Sequence, residues 1–158
     1  MSDEQVKVTL TQISDYSFNV SFDETDIPDL VTDEGAPLGG GMGPNPSRML
    51  MVAIANCLSA SLLFAMRKYK NAPGTIRAEV RGTLGRNAEG RMRVLHVDVD
   101  LHVPDAADSY AQFERILQQF ENFCVVTESV RSGIKVAVQV RDGSGAVLHS
   151  SVNQRWPA

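Results

Sequence analysis

Apolar side chains fill the chain from Met49 to Met66, with only Asn56, Ser59 and Ser61 between them. That pattern leaves no wide polar face for water and predicts a helix buried on nearly all sides. Asn45 can accept hydrogen bonds from the free amides of a first turn, and Pro46 brings a preset φ where a missing N–H costs nothing, so the helix should start at Pro46. Arg67, Lys68 and Lys70 then set positive charge against the negative end of the helix dipole, and Asn71-Ala72-Pro73-Gly74 forbids continuation. The run is close to the roughly 18 residues of a membrane span. Its alanines and serines, with Asn56 and Cys57, make a weak insertion signal, and the flanking chain is patterned as half-exposed strands. A core helix is the better reading. Covering every side of it in a 158-residue chain takes strands wrapped around it or a second copy of the chain, so a homodimer is expected.

Two-residue alternation marks the strands. Val6, Val8 and Leu10 alternate with polar residues, and Phe18, Val20 and Phe22 continue after a turn near Ser14-Asp15, predicting a hairpin with one buried face. Residues 23–45 carry acidic side chains, prolines and glycines, which is loop chemistry; the Gly39-Gly40-Gly41-Met42-Gly43 run can bring backbone very close to another group. Ile76, Ala78, Val80, Gly82 and Leu84 face Leu95, Val97, Val99, Leu101 and Val103 across a turn at Asn87–Gly90. The predicted register sets Ile76 opposite Leu101, Ala78 opposite Val99 and Val80 opposite Val97, with Arg77 facing Asp100 and Glu79 facing Asp98 on the outer side. Tyr110, Phe113, Ile116, Leu117 and Phe120 predict an amphipathic helix over 105–121, and a short helix from Cys124 to about Ser132 follows, with Gly133 placed as its C′ residue. Strands at Ile134–Val140 and Ala146–Ser151 flank the Asp142–Gly145 turn, and Trp156 lies in the tail. The order ββ-α-ββ-α-α-ββ is an α+β fold in one domain, 1–158, with antiparallel hairpins wrapped about a central helix.

Composition narrows the function. At 43% hydrophobic and 22% charged the chain is ordinary globular protein. A net charge of −4 with dispersed Lys and Arg lacks the footprint of a nucleic-acid binder. MSDEQVKVTL has no basic region followed by an apolar one, so no export signal is read there and a cytoplasmic protein is expected, without membrane or nucleic-acid partners. His96, Asp98, Asp100 and His102 alternate on one strand face, but ligands strung along an extended strand do not converge on one ion, so an ion-paired solvent face is expected and no metal. His149 stands alone on the last strand. Neither a Ser-His-Asp signature, nor a P-loop, nor a dinucleotide fingerprint occurs, and no cofactor is implied.

Two cysteines remain. Cys124 opens a helix, where free amides and the dipole favour a thiolate, whereas Cys57 lies in the middle of the long helix. In a reducing compartment they stand as packed, inert residues, as a redox pair or as half of a metal site. Proximity decides, since only Cα atoms within roughly 7 Å allow a disulfide.

The GPNP lead-in to the apolar helix carrying Cys57, together with FENFCVVTESVRSGIKVAVQV around Cys124, resembles the OsmC/Ohr family over nearly the whole chain. The resemblance implies an intertwined homodimer with two active sites at the subunit interface, and thiol-dependent reduction of hydroperoxides without a cofactor. By the same resemblance Cys57 is the peroxidatic residue, attacking the O–O bond to give a sulfenic acid. Cys124 is the resolving residue, forming a disulfide that a dithiol reductant reopens. Two departures stand out: the peroxidase branch has a glutamate where this chain has Ser47, and it holds an N-terminal arginine that residues 1–47 here lack. Arg48, the nearest cation in sequence, is about 13 Å along the helix from Cys57. Val125 follows Cys124 where many relatives have proline. A binding or interaction protein of the same fold with packed, inert cysteines is the alternative.

Overall fold

A computed structural model of the chain describes residues 3–152. It is an α+β structure with two sheets and one long helix, and it falls into two compact units, one up to Met49 and one from Leu50 onward. The expected packing of Trp156 lies outside the described residues.

In the first unit, β1 (Val8–Ser14), β2 (Ser17–Phe22) and β3 (Leu30–Thr32) form an antiparallel sheet in that order. Leu10 sits opposite Val20, as alternation about the Ser14-Asp15 turn requires. The buried face is narrower than expected: Val20 is buried, but every residue of β1 is exposed. The acidic, glycine-rich stretch also contains β3, which its composition hid. Beyond β3 the loop closes on one carboxylate: Asp33 accepts N–H bonds from Glu34 (2.8 Å), Gly40 (3.0 Å) and Met42 (3.1 Å). These bonds, the Met42 N–H foremost, hold its pKa below the ordinary carboxylate value. A methyl group on Gly39 would lie 2.3 Å from Asp33 Oδ1, which is the close backbone approach that the glycine run predicts.

The long helix, α1, spans Pro46–Lys68, and Asn45 Oδ1 accepts the Arg48 N–H at 3.0 Å, so its start and its N-cap are as the sequence predicts. In the second unit α1 packs Ile54, Leu58, Leu62 and Met66 against a sheet of β4 (Arg77–Arg86), β5 (Met92–His102), β6 (Lys135–Arg141) and β7 (Val147–Val152). Val97, Val99 and Leu101 of β5 and Val136, Val138 and Val140 of β6 complete the core, and α1 is a core helix despite a length and composition that could cross a membrane. It is not buried all round: Val52, Ala53, Asn56, Ala60 and Phe64 form an exposed stripe at helical spacing.

The sheet order is β4-β5-β6-β7, with a parallel β5–β6 pair that hairpin patterning did not anticipate. The β4–β5 register is displaced by two residues, pairing Ala78 with Leu101 and Val80 with Val99. Up to Thr83 an even slip leaves the side chains on their predicted faces, but the shift between Thr83 and Leu84 breaks that parity near the turn, where Val94 packs on the core and Leu84 and Leu95 are exposed. Arg77 therefore faces His102, and Glu79 faces Asp100. The outer face is ion-paired: Asp100 meets Arg81 at 3.6 Å and Arg141 at 3.1 Å, and His96 meets Asp98 at 2.8 Å.

The single helix expected over 105–121 is divided. A 3-10 turn at Ala107–Ser109 precedes α2 (Phe113–Gln119), another at Phe120–Phe123 follows, and α3 (Val125–Val130) comes next. The Asn71 carboxamide explains the division: it accepts the Ala111 N–H at 2.7 Å and donates to the Ala111 carbonyl at 2.9 Å, groups that a continuous helix would need. Gln112 then turns with φ 56°. Gly133 is not in the left-handed C′ conformation; its N–H, like that of Ile134, simply bonds the Val130 carbonyl.

The turn between β6 and β7 depends on Gly143, whose N–H donates to Asp105 O at 2.8 Å and whose added methyl would lie 2.1 Å from the Pro104 carbonyl oxygen. Backbone cannot yield as a side chain would. Gly143→Ala is expected to cost about 2–3 kcal/mol, read as a lower urea midpoint at unchanged m-value.

Candidate active site

Cys57 and Cys124 are both free thiols, and the fold of the second unit places them near enough for Cys57 to influence the ionisation of Cys124. Cys57 lies on α1 at the margin between its core face and its exposed stripe, and is half-buried. Phe64 and Lys68 follow it at i+7 and i+11 on the same side of α1. Phe123 docks there, edge-on to Phe64 with ring centroids 6.0 Å apart and beneath the Lys68 ammonium at 6.0 Å. The next residue, Cys124, is fully buried. Phe64 and Phe123 stay about half exposed and Val125 more so, which gives the margin of the thiol pair an apolar character.

Cys124 is the N-cap of α3: its N–H donates to Glu121 O at 3.0 Å, its carbonyl accepts the Glu128 N–H at 3.0 Å, and its thiol donates to Thr127 Oγ1 at 3.0 Å. The expectation that a helix start makes it a thiolate is overturned. Burial pushes the Cys124 pKa up, the neighbouring Cys57 thiol pushes it further, and the Thr127 hydroxyl and N–H oppose them without winning. A six-residue helix offers too little to offset full burial. The two sulfurs thus differ: a half-accessible one at Cys57, and a shielded one at Cys124 that keeps its proton.

Three residues behind Cys124 lies a group that sequence patterning missed. Glu121 is 8% exposed, and its carboxylate accepts bonds from His149 Nε2, Arg131 Nη2 and, at 2.6 Å, Ser151 Oγ. Burial works against the charged form, but the His149, Arg131 and Ser151 bonds with the Arg131 charge outweigh it and hold the pKa at about 2. His149, without a partner in the sequence reading, finds one here, and packs edge-on to Phe120 at 5.4 Å.

Comparison with known proteins assigns the class. The family model described as OsmC-like protein matches residues 39–139, which takes in both cysteines, and the chain belongs to that family. No curated protein matches it by sequence. Among solved structures it is similar to an OsmC-like protein of unknown function from Vibrio cholerae, at 16% identity and TM-score 0.73, covering 87% of this chain and 99% of that one. It is also similar to an organic hydroperoxide resistance protein OsmC from Legionella pneumophila (13%, TM-score 0.69) and to an organic hydroperoxide resistance protein from Elizabethkingia anophelis (17%, TM-score 0.68), each over 89% of this chain and 98% of the other. At these identities the likeness establishes the fold.

Proposed function

We propose that the protein is a cytoplasmic thiol peroxidase that reduces organic hydroperoxides, with Cys57 as the attacking sulfur and Cys124 as the resolving thiol. The observation that carries this reading is the proximity of a half-accessible thiol to a buried, protonated one. The names of the Legionella and Elizabethkingia neighbours support it. Cys57 sulfur attacks the terminal peroxide oxygen, the O–O bond breaks, and the alkoxide leaves as the alcohol once protonated; Cys57 becomes a sulfenic acid. Cys124 sulfur then displaces the sulfenic oxygen as water, taking up its own proton, and an external dithiol returns the disulfide to two thiols. The apolar margin of Phe64, Phe123 and Val125 suits organic over inorganic peroxides.

The working unit in this reading is a homodimer joined along the exposed stripe of α1. Val52→Glu in that stripe is expected to halve the mass seen by analytical ultracentrifugation, while an unchanged mass would remove the stripe from the interface.

One observation favours a second reading, a small-ligand-binding protein with inert thiols: Ser47 and the absence of arginine from residues 1–47 remove the charged pair of the peroxidase branch. Purified protein given tert-butyl hydroperoxide and a dithiol separates the two. Alcohol formation that depends on Cys57 supports the peroxidase, and no turnover with any dithiol supports the binding protein.

A further inference from the structure

We infer that Glu121 is a positioning residue for the resolving step, holding Cys124 aimed at Cys57 by tying both ends of the Cys124–Arg131 segment to β7. This rests on the peroxidase reading for its biological sense, but not for its geometry.

The connections run outward from one carboxylate. Its oxygens take His149 Nε2 and Ser151 Oγ from β7 and Arg131 Nη2 from the end of α3. The Glu121 peptide carbonyl receives the Cys124 N–H, so the near end of the segment is fixed. At the far end Arg131 also pairs with Glu128, and its N–H bonds the Thr127 carbonyl at 3.0 Å. Thr127 Oγ1 in turn receives the Cys124 thiol. Cys124 is thereby held at its backbone by Glu121 itself and at its sulfur by Thr127, which is linked through Arg131 to the Glu121 carboxylate. A hydrolytic triad is a poor fit to the same atoms, because His149 and Ser151 both bond one oxygen of Glu121 instead of each other.

The step that needs this placement is disulfide closure. Cys57–SOH and Cys124–SH become Cys57–S–S–Cys124 and water: the S–O bond breaks, the S–S bond forms, and the Cys124 proton leaves with the hydroxide. Attack is in line with the S–O bond, so an error near 1 Å in the Cys124 sulfur slows it by roughly a hundredfold, whereas the first oxidation at Cys57 does not involve that sulfur. Glu121 therefore acts on the second step alone.

The test compares wild type with Glu121→Gln, which keeps the shape and removes the charge, and with His149→Phe, which keeps the ring on Phe120 and removes one donor. Each is treated with tert-butyl hydroperoxide in a stopped-flow quench, and Cys57 sulfenic acid is counted as its dimedone adduct by mass spectrometry beside the disulfide. The expected result is wild-type formation of the sulfenic acid with closure slowed at least about tenfold in Glu121→Gln and less in His149→Phe. Closure at the wild-type rate in both variants overturns the inference. So does an equal slowing of both steps, which is what general loosening would give. If wild-type Cys57 is not oxidised by the peroxide, the peroxidase reading fails while this one is still decided by diamide, which forms an adduct on one thiol that the second displaces: slower closure in the variants supports the positioning role, and equal rates remove it.

Discussion

Cys57→Ser is expected to lower hydroperoxide turnover by at least about a thousandfold, while Cys124→Ser retains one full equivalent of peroxide reduction and then stalls. The asymmetry follows from where the two sulfurs lie. A serine hydroxyl at position 57 is neither ionised near neutral pH nor polarisable, so it does not break an O–O bond, and Cys124 cannot substitute for it. Cys124 is fully buried, and its thiol is occupied with Thr127. Burial keeps it protonated, which makes it a poor first nucleophile; in the second step its proton passes to the departing sulfenic oxygen as the S–S bond forms, so the sulfur attacks as a thiolate and water leaves. In Cys124→Ser the sulfenic acid on Cys57 forms but finds no internal partner, so dimedone should label Cys57 at close to one adduct per chain after a single peroxide equivalent. Steady-state turnover then depends on direct attack by the external dithiol and should fall steeply. Full turnover in Cys57→Ser would assign the first step to another group, and full turnover in Cys124→Ser would leave the buried thiol a packing residue.

Much of this arrangement can be read in the sequence, for reasons that differ by element. α1 is legible because its apolar run is bracketed by Asn45-Pro46 and by Arg67-Lys68, both local signals. Strand faces are legible because alternation is local as well, but the β4–β5 pairing is fixed by a shift near Thr83, and no face pattern distinguishes two registers that differ by an even number. The interruption between Ser109 and Phe113 is invisible for the opposite reason: it is imposed by Asn71, far away in sequence, through the Ala111 backbone. At the site, both cysteines stand out by rarity and context, and the family resemblance rests on them. Their proximity, and the reversal of the expected Cys124 ionisation, come from burial of Cys124 in the core of the second unit, which composition does not encode. Glu121 carries no signal in the sequence because a carboxylate in an amphipathic stretch usually belongs to the solvent face; only the fold reveals that β7 and the end of α3 deliver three donors to it.

That buried carboxylate gives the second large effect, on stability in acid. Glu121 has a folded-state pKa of about 2 against an ordinary value of 4.5, so the unfolded chain binds its proton first as pH falls. The stabilisation is therefore complete above pH 4.5, declines as pH drops through the interval and is gone below about pH 2. A depression of this size corresponds to about 3 kcal/mol at neutral pH, and with the side chain only 11% exposed there is little solvent screening to reduce it. Glu121→Gln cannot gain or lose a proton in this range. Urea unfolding of wild type and variant at pH 7, 5, 3.5 and 2.5 should show a gap of about 3 kcal/mol that holds between pH 7 and 5 and closes toward pH 2.5. A gap that stays constant across the series would mean that the variant loses packing and not the charged interactions of Glu121. The charge that ties the Cys124 segment to β7 is itself lost only below about pH 2, where the folded-state carboxyl takes up its proton. In diamide-treated protein that is still folded there, closure of the Cys57–Cys124 disulfide should slow in wild type toward the rate of Glu121→Gln, beyond the slowing that both proteins share as thiolate becomes scarce.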